Sequence, residues 1–182
     1  NMQHAKEDIF ATTITRFKFN DDEIKPLLDE IIEKKQQIKD TSSFYNDSIS
    51  GNYFTDFKNP TKLREYEVLM NTIKLQYNSN NLLFNVSSYW TAIYGKGSRH
   101  NPHNHQSVFN NYSSIFYLTN NGETSFLSPN HTAEYSYYYE KAEVGKVVIF
   151  PSALWHFVEY KDLGERIIIS SNIKITGNWY EK

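Results

Sequence analysis

The sequence predicts an α+β fold, mainly β, in which N-terminal helices support an antiparallel sandwich or barrel. Three observations carry that expectation. Helical periodicity is confined to residues 20–78. From residue 82 onward the chain breaks into short runs rich in β-branched and aromatic residues, bounded by Gly, Asn, Pro or Asp. No helical pattern separates those late runs, which argues against parallel βαβ units.

The elements follow in order. Residues 1–8 read as a loose leader, and "IFATTITRFKF" (9–19) has the rough alternation of a strand. Asn20 then supplies an N-cap, with Asp21, Asp22 and Glu23 in the first turn, where carboxylates face the positive end of the helix dipole. Ile24, Leu27, Leu28, Ile31 and Ile32 form the apolar stripe of a helix reaching to about Lys39. The polar residues 40–60 read as loop. "PTKLREYEVLMNTIKLQYN" (60–78) reads as a second helix with Leu63, Tyr66, Leu69 or Met70 and Ile73 inward, and with Pro60 near its start, where a missing N–H costs little. The runs "LLFNVSSYWTAIY", "YSSIFYLT", "AEYSYYYEKA", "KVVIF" and "ERIIISSNI" supply the strands of a β core over 82–176. With no internal repeat or linker, one domain over 1–182 is expected.

Composition narrows the function. Apolar residues make up 39% and aromatics 16%, enough for a packed core. A net charge of −2 gives no electrostatic case for nucleic acid or an anionic membrane. Cysteine is absent, so disulfides, thiolate metal sites and cysteine nucleophiles are excluded. No apolar run approaches the roughly 20 residues of a membrane span, and no signal-like segment opens the chain, so a cytoplasmic protein is expected.

"GSRHNPHNHQS" (97–107) holds three of the six histidines. In extended chain, side chains at i and i+2 point the same way, so His103 and His105 form a two-ligand arm for a divalent metal. His100 is separated from that pair by Pro102. Neutral imidazole suits Fe(II), Zn, Mn or Ni, and a third ligand must come from elsewhere. His4 in the leader and His131 in "SPNHTAE" read as solvated. His156 follows "GKVVIFPSALW" at the rim of a strand, where a rigid scaffold presents a ligand. Trp155 and Phe157 flank it and read as core or as walls of the site.

The stretch "YGKGSRHNPHNH…FPSALWHFVEYKDLGERIIISSN" resembles the 2-oxoglutarate- and Fe(II)-dependent oxygenase superfamily, in particular oxygenases found in marine bacteria and phages. The likeness covers about residues 85–173. It implies a double-stranded β-helix, jelly-roll or cupin-like, and a cytoplasm that would be a host's if the chain comes from a phage. It also implies Fe(II) as metal, 2-oxoglutarate and O2 as co-substrates, and hydroxylation of a further small-molecule or peptide substrate with release of succinate and CO2. Carried across, His103 takes the first histidine place, His105 the usual carboxylate place and His156 the distal histidine place. Arg166, ten residues beyond His156, falls where the superfamily keeps the arginine that grips 2-oxoglutarate. A strand-end salt bridge with Glu165 or Asp162 is the plainer account of that arginine.

Two departures from the pattern matter. A histidine stands where the two-histidine, one-carboxylate triad has its acid, and Glu123 in "NNGETSF" is a candidate to fill that place instead. Ile168 stands where many relatives have a serine, so Ser170, Tyr94, His100 or Tyr117 would complete the co-substrate site. Two other readings compete. A cupin-type metal protein without 2-oxoglutarate fits the spacing of Gly97, His103, His105, Gly145, Pro151 and His156, but lacks the expected glutamate at 109 or 110. A non-enzymatic interaction domain would use Tyr137, Tyr138 and Tyr139 as a surface, although such a run more often packs across strands.

Overall fold

The computed structural model describes residues 12–42, 49–50, 52–129 and 137–177. His4 and His131 lie outside them. β1 (Thr15–Lys18) leads into α1 (Asp21–Asp40). The cap is reciprocal: the Glu23 amide donates to the Asn20 side chain at 2.9 Å, and the Asn20 amide donates to the Glu23 carboxylate at 2.8 Å. Ile24, Leu27, Ile31 and Ile38 are buried along one face, whereas Ile32, counted in the expected stripe, is 73% exposed.

The polar stretch expected to be loop contains two short strands, β2 (Ile49–Ser50) and β3 (Tyr53–Thr55). α2 (Arg64–Asn78) begins four residues later than Pro60. Its N-cap, Leu63, has no side-chain acceptor to offer. The need is met from α1, where the Glu30 carboxylate accepts from the amides of Arg64 and Glu65, both at 2.9 Å. Tertiary structure, not local sequence, sets this helix start.

The remaining strands are β4 (Leu82–Tyr94), β5 (Arg99–His103), β6 (Tyr112–Tyr117), β7 (Glu123–Leu127), β8 (Tyr137–Lys141), β9 (Lys146–Pro151), β10 (His156–Glu159) and β11 (Arg166–Gly177). They form two antiparallel sheets, ordered β1-β9-β6-β11-β4-β3 and β2-β5-β10-β7-β8. The larger sheet is covered on both faces. Ile167, Ile169, Ile173, Phe116 and Ile149 pack against Ile24, Leu27, Tyr66 and Ile73 of the helices. The alternate residues Ile168, Ile115, Tyr117, Val148 and Phe150 pack against Phe126, Val158 and Tyr160 on the smaller sheet's side. This second, inter-sheet layer holds the site.

The tyrosine run lies on β8, the edge of the smaller sheet, and Tyr137, Tyr138 and Tyr139 are each about half exposed. It does pack across strands, Tyr137 meeting Phe157 edge-on at 5.9 Å.

Candidate active site

His103 ends β5 and His156 begins β10, and the two residues are direct partners in the antiparallel ladder. His105 lies just beyond the strand end, where its backbone is pinned twice. Its amide donates to the Ser152 carbonyl at 2.9 Å, and its carbonyl accepts from Asn110 Nδ2, also at 2.9 Å. The same Asn110 amide donates to Ser152 Oγ at 2.8 Å, so one buried side chain ties the loop after β5 to the turn after β9. These constraints bring one ring nitrogen from each of His103, His105 and His156 within 4.8 Å of one another. Among the described residues no other group of three histidines or acids converges in this way, and no carboxylate belongs to this one.

The ring orientations are fixed by backbone carbonyls. His103 Nδ1 lies 2.8 Å from the Asn101 carbonyl and His156 Nδ1 lies 3.1 Å from that of Leu154. A carbonyl can only accept, so each Nδ1 carries the proton and each Nε2 keeps its lone pair. His100 stacks on His103 with ring centroids 3.8 Å apart. Burial, helped by the neighbouring imidazoles, depresses His100 to about 3 and His105 to about 4. Burial likewise lowers His103, against the raising effect of its Asn101 bond, and holds His156 well below the ordinary range. All four rings are neutral at pH 7, the state in which imidazole binds a metal.

Arg166 opens β11 and is completely buried. Nη2 donates to Thr124 Oγ1 at 2.8 Å, and Thr124 Oγ1 also accepts from the Tyr117 hydroxyl at 2.8 Å. The guanidinium carbon sits 5.0 Å from the Tyr94 ring centre and 5.5 Å from that of Tyr117. Nε and Nη1 find no acceptor among the described residues. The plainer account, a strand-end salt bridge, is therefore overturned. Glu165 points outward to Lys35 and to Lys39 at 2.7 Å, and Asp162 accepts from the Gly122 amide at 3.0 Å. Gly122, at φ +76°, lets its turn pass over the arginine, because a Cβ there would lie 3.2 Å from Arg166 Cδ.

Other expectations change as well. Glu123 faces outward, since Thr124, the next residue of β7, is the one that turns inward to Arg166. Trp155 is 49% exposed and Phe157 faces Tyr137 on the outer surface, so neither walls the histidine cavity nor belongs to the core. Trp90 of β4 takes that place, 5.6 Å from the His105 ring and edge-on to Phe57. Of the four residues considered for completing the co-substrate site, Ser170, Tyr94 and His100 line the narrow cavity beside the three histidines. Tyr117 does not line it, and its hydroxyl donates to Thr124. Thr124, Asn110 and Ser152 went unnoticed in the sequence. Only the pairing of distant strands gives them a role.

No family model matches the chain, and no curated protein resembles it closely in sequence. Solved structures do resemble it in fold. A prolyl-4-hydroxylase from Pseudomonas putida superposes with a TM-score of 0.66 at 16% identity, covering 88% of this chain and 91% of that one. The viral collagen prolyl hydroxylase of Paramecium Bursaria Chlorella virus-1, in its 2-oxoglutarate complex, gives 0.60 at 17% identity, covering 88% and 94%. HygX from Streptomyces hygroscopicus, with nickel, 2-oxoglutarate and hygromycin B bound, gives 0.61 at 10%, covering 93% and 84%. The two antiparallel sheets thus match the double-stranded β-helix fold of 2-oxoglutarate-Fe(II) oxygenases.

Proposed function

We propose that the chain is a 2-oxoglutarate-dependent Fe(II) oxygenase that hydroxylates a further substrate. The observation that carries this reading is Arg166, a fully buried cation with two guanidinium nitrogens unpartnered among the described residues, in the same inter-sheet layer as three convergent neutral histidines. A buried guanidinium without a carboxylate is costly unless an anionic ligand meets it, and a carboxylate matches its geometry. The cupin-type reading leaves those donors unexplained, and a plain interaction domain leaves the histidines unexplained as well.

His103, His105 and His156 would hold Fe(II) through ring nitrogens. Arg166 would bind the distal carboxylate of 2-oxoglutarate through its guanidinium, kept in place by Thr124 and by the Tyr94 and Tyr117 rings. Ser170, Tyr94 and His100 would meet the rest of the co-substrate. Ile115, Val158 and Ile168 line the same cavity and exclude water from it. The cavity is small, about 30 Å3, so entry of the co-substrate requires lining side chains to give way. When bound, Fe(II) supplies the redox chemistry by which O2 converts 2-oxoglutarate to succinate and CO2 and oxidises a C–H bond. The substrate oxidised is a peptide side chain or a small molecule, the two classes bound by structural neighbours. A reducing cytoplasm, where Fe(II) persists, is the setting that suits this chemistry.

Thermal unfolding tests the reading. With Fe(II) present under anaerobic conditions, 2-oxoglutarate at about 100 times its dissociation constant should add roughly 2.7 kcal/mol. For a chain of this length that is a rise of about 5–10 °C. The rise should require metal and should vanish in Arg166→Ala. Stabilisation by metal with no effect of 2-oxoglutarate would instead favour the cupin-type reading.

A further inference from the structure

Among the described residues, no carboxylate lines the histidine cavity, and positive charge gathers around it. Arg166, set against the cavity-lining Thr124 and Tyr94, contributes one buried cation, and an ion on three neutral imidazoles would keep its full divalent charge. The carboxylates nearest in the fold are committed elsewhere. Glu165 pairs with Lys35 and Lys39, and Glu140 with Arg16 and Lys146. Asp56 accepts from the backbone amides of Thr61 and Thr91. Asp162 accepts from that of Gly122, and Glu123 faces outward. In a centre with two histidines and one carboxylate, the ligand set itself offsets part of the metal's charge. Here His105 stands in that place. Bringing a divalent ion into a desolvated cavity beside an unpaired guanidinium is therefore opposed both by desolvation and by repulsion.

We infer that His105 makes the metal and the dicarboxylate bind as a unit, an inference that rests on the oxygenase reading. The co-substrate carries two negative charges. One meets Arg166, and the other supplies the anionic metal ligand that the protein withholds. Metal alone and dicarboxylate alone each bind weakly, and each strengthens the other by the same factor, as linkage requires. A carboxylate at position 105 would weaken that coupling by letting the metal bind first.

Calorimetric titration with Ni(II), a redox-silent probe, tests this on the full chain. Affinity is measured for Ni(II) alone, with 2-oxoglutarate (corrected for its own chelation of nickel) and with its uncharged dimethyl ester. In the wild type, 2-oxoglutarate should tighten Ni(II) binding on the order of 10- to 100-fold, while the diester has little effect. In His105→Asp, with its fold checked by circular dichroism, Ni(II) alone should bind more tightly and the effect of 2-oxoglutarate should shrink. Equal tightening by the diester, or an unchanged coupling factor in His105→Asp, would overturn the inference and leave the oxygenase reading intact. Coupling absent from the wild type, together with no loss of 2-oxoglutarate binding in Arg166→Ala, would remove that reading itself. Should His105→Asp fail to fold, the same comparison is made with His105→Glu, in which the coupling factor should shrink likewise.

Discussion

Four imidazoles lining one cavity, His156 buried and the other three half-buried, make the metal-free protein sensitive to mild acid. Unfolded, each binds its proton with a pKa near 6.5. Folded, burial depresses all four, His105 to about 4 and His100 to about 3. Below about pH 6.5 the unfolded chain takes up protons that the folded chain refuses. Stability fully present above that pH is therefore lost as pH falls toward the folded values. Each histidine contributes a slope of up to about 1.4 kcal/mol per pH unit. Urea unfolding of metal-stripped protein between pH 7 and 5, above the range where carboxylates titrate, should show a steep decline, made shallower in His100→Asn. A flat profile would mean that the rings are solvated. The pairing of His103 with His105 is local and was legible in the sequence as H-x-H. The sequence reading of Trp155 and Phe157 as core or site wall fails, because neighbours of an inward-facing strand residue face out. Thr124 was not legible, because its role depends on β7 passing beside the start of β11, some 40 residues away, where Arg166 donates to it (|i−j| = 42).

Among the elements, α1 was readable nearly to the residue because its cap, charges and apolar stripe lie within the helix itself. The start of α2 was not, because its cap comes from Glu30 on the neighbouring helix. Burial opposes ionisation of Glu30, but its bonds to Lys34 and to the Arg64 and Glu65 amides outweigh that cost and lower its pKa. Glu30→Ala should therefore cost about 1–2 kcal/mol in urea unfolding, the upper range for loss of a helix cap. The 2-oxoglutarate-dependent thermal shift should be preserved, since the site lies on the other face of the larger sheet. Loss of that shift would mean the helices help to shape the cavity. The strands that escaped notice, β2, β3, β5, β7 and β10, have two to five residues each. Segments so short carry little periodicity and are specified mainly by their partners.

At the scale of the whole molecule, the larger sheet separates the helix-packed layer from the layer that holds the candidate site. Its central strand, β11, reads "RIIIS" without alternation because both of its faces are buried. Two adjacent isoleucines thus serve different layers. Ile169 is inaccessible to solvent and packs toward the helices, whereas Ile168 is 3% exposed and lines the histidine cavity. Truncation of either to alanine removes buried methylene groups, at a cost of about 2–5 kcal/mol in urea unfolding. Their effects on ligand binding should part. Ile169→Ala weakens the support of the sheet and should leave the gain from metal and 2-oxoglutarate intact, measured against its own lowered midpoint. Ile168→Ala opens a narrow cavity beside the ligands and should change that gain, because the void admits water next to the charges the cavity is built to keep dry. A gain changed as much in Ile169→Ala as in Ile168→Ala would mean that the layers are not energetically separate, and that the helices belong to the site as much as the strands do.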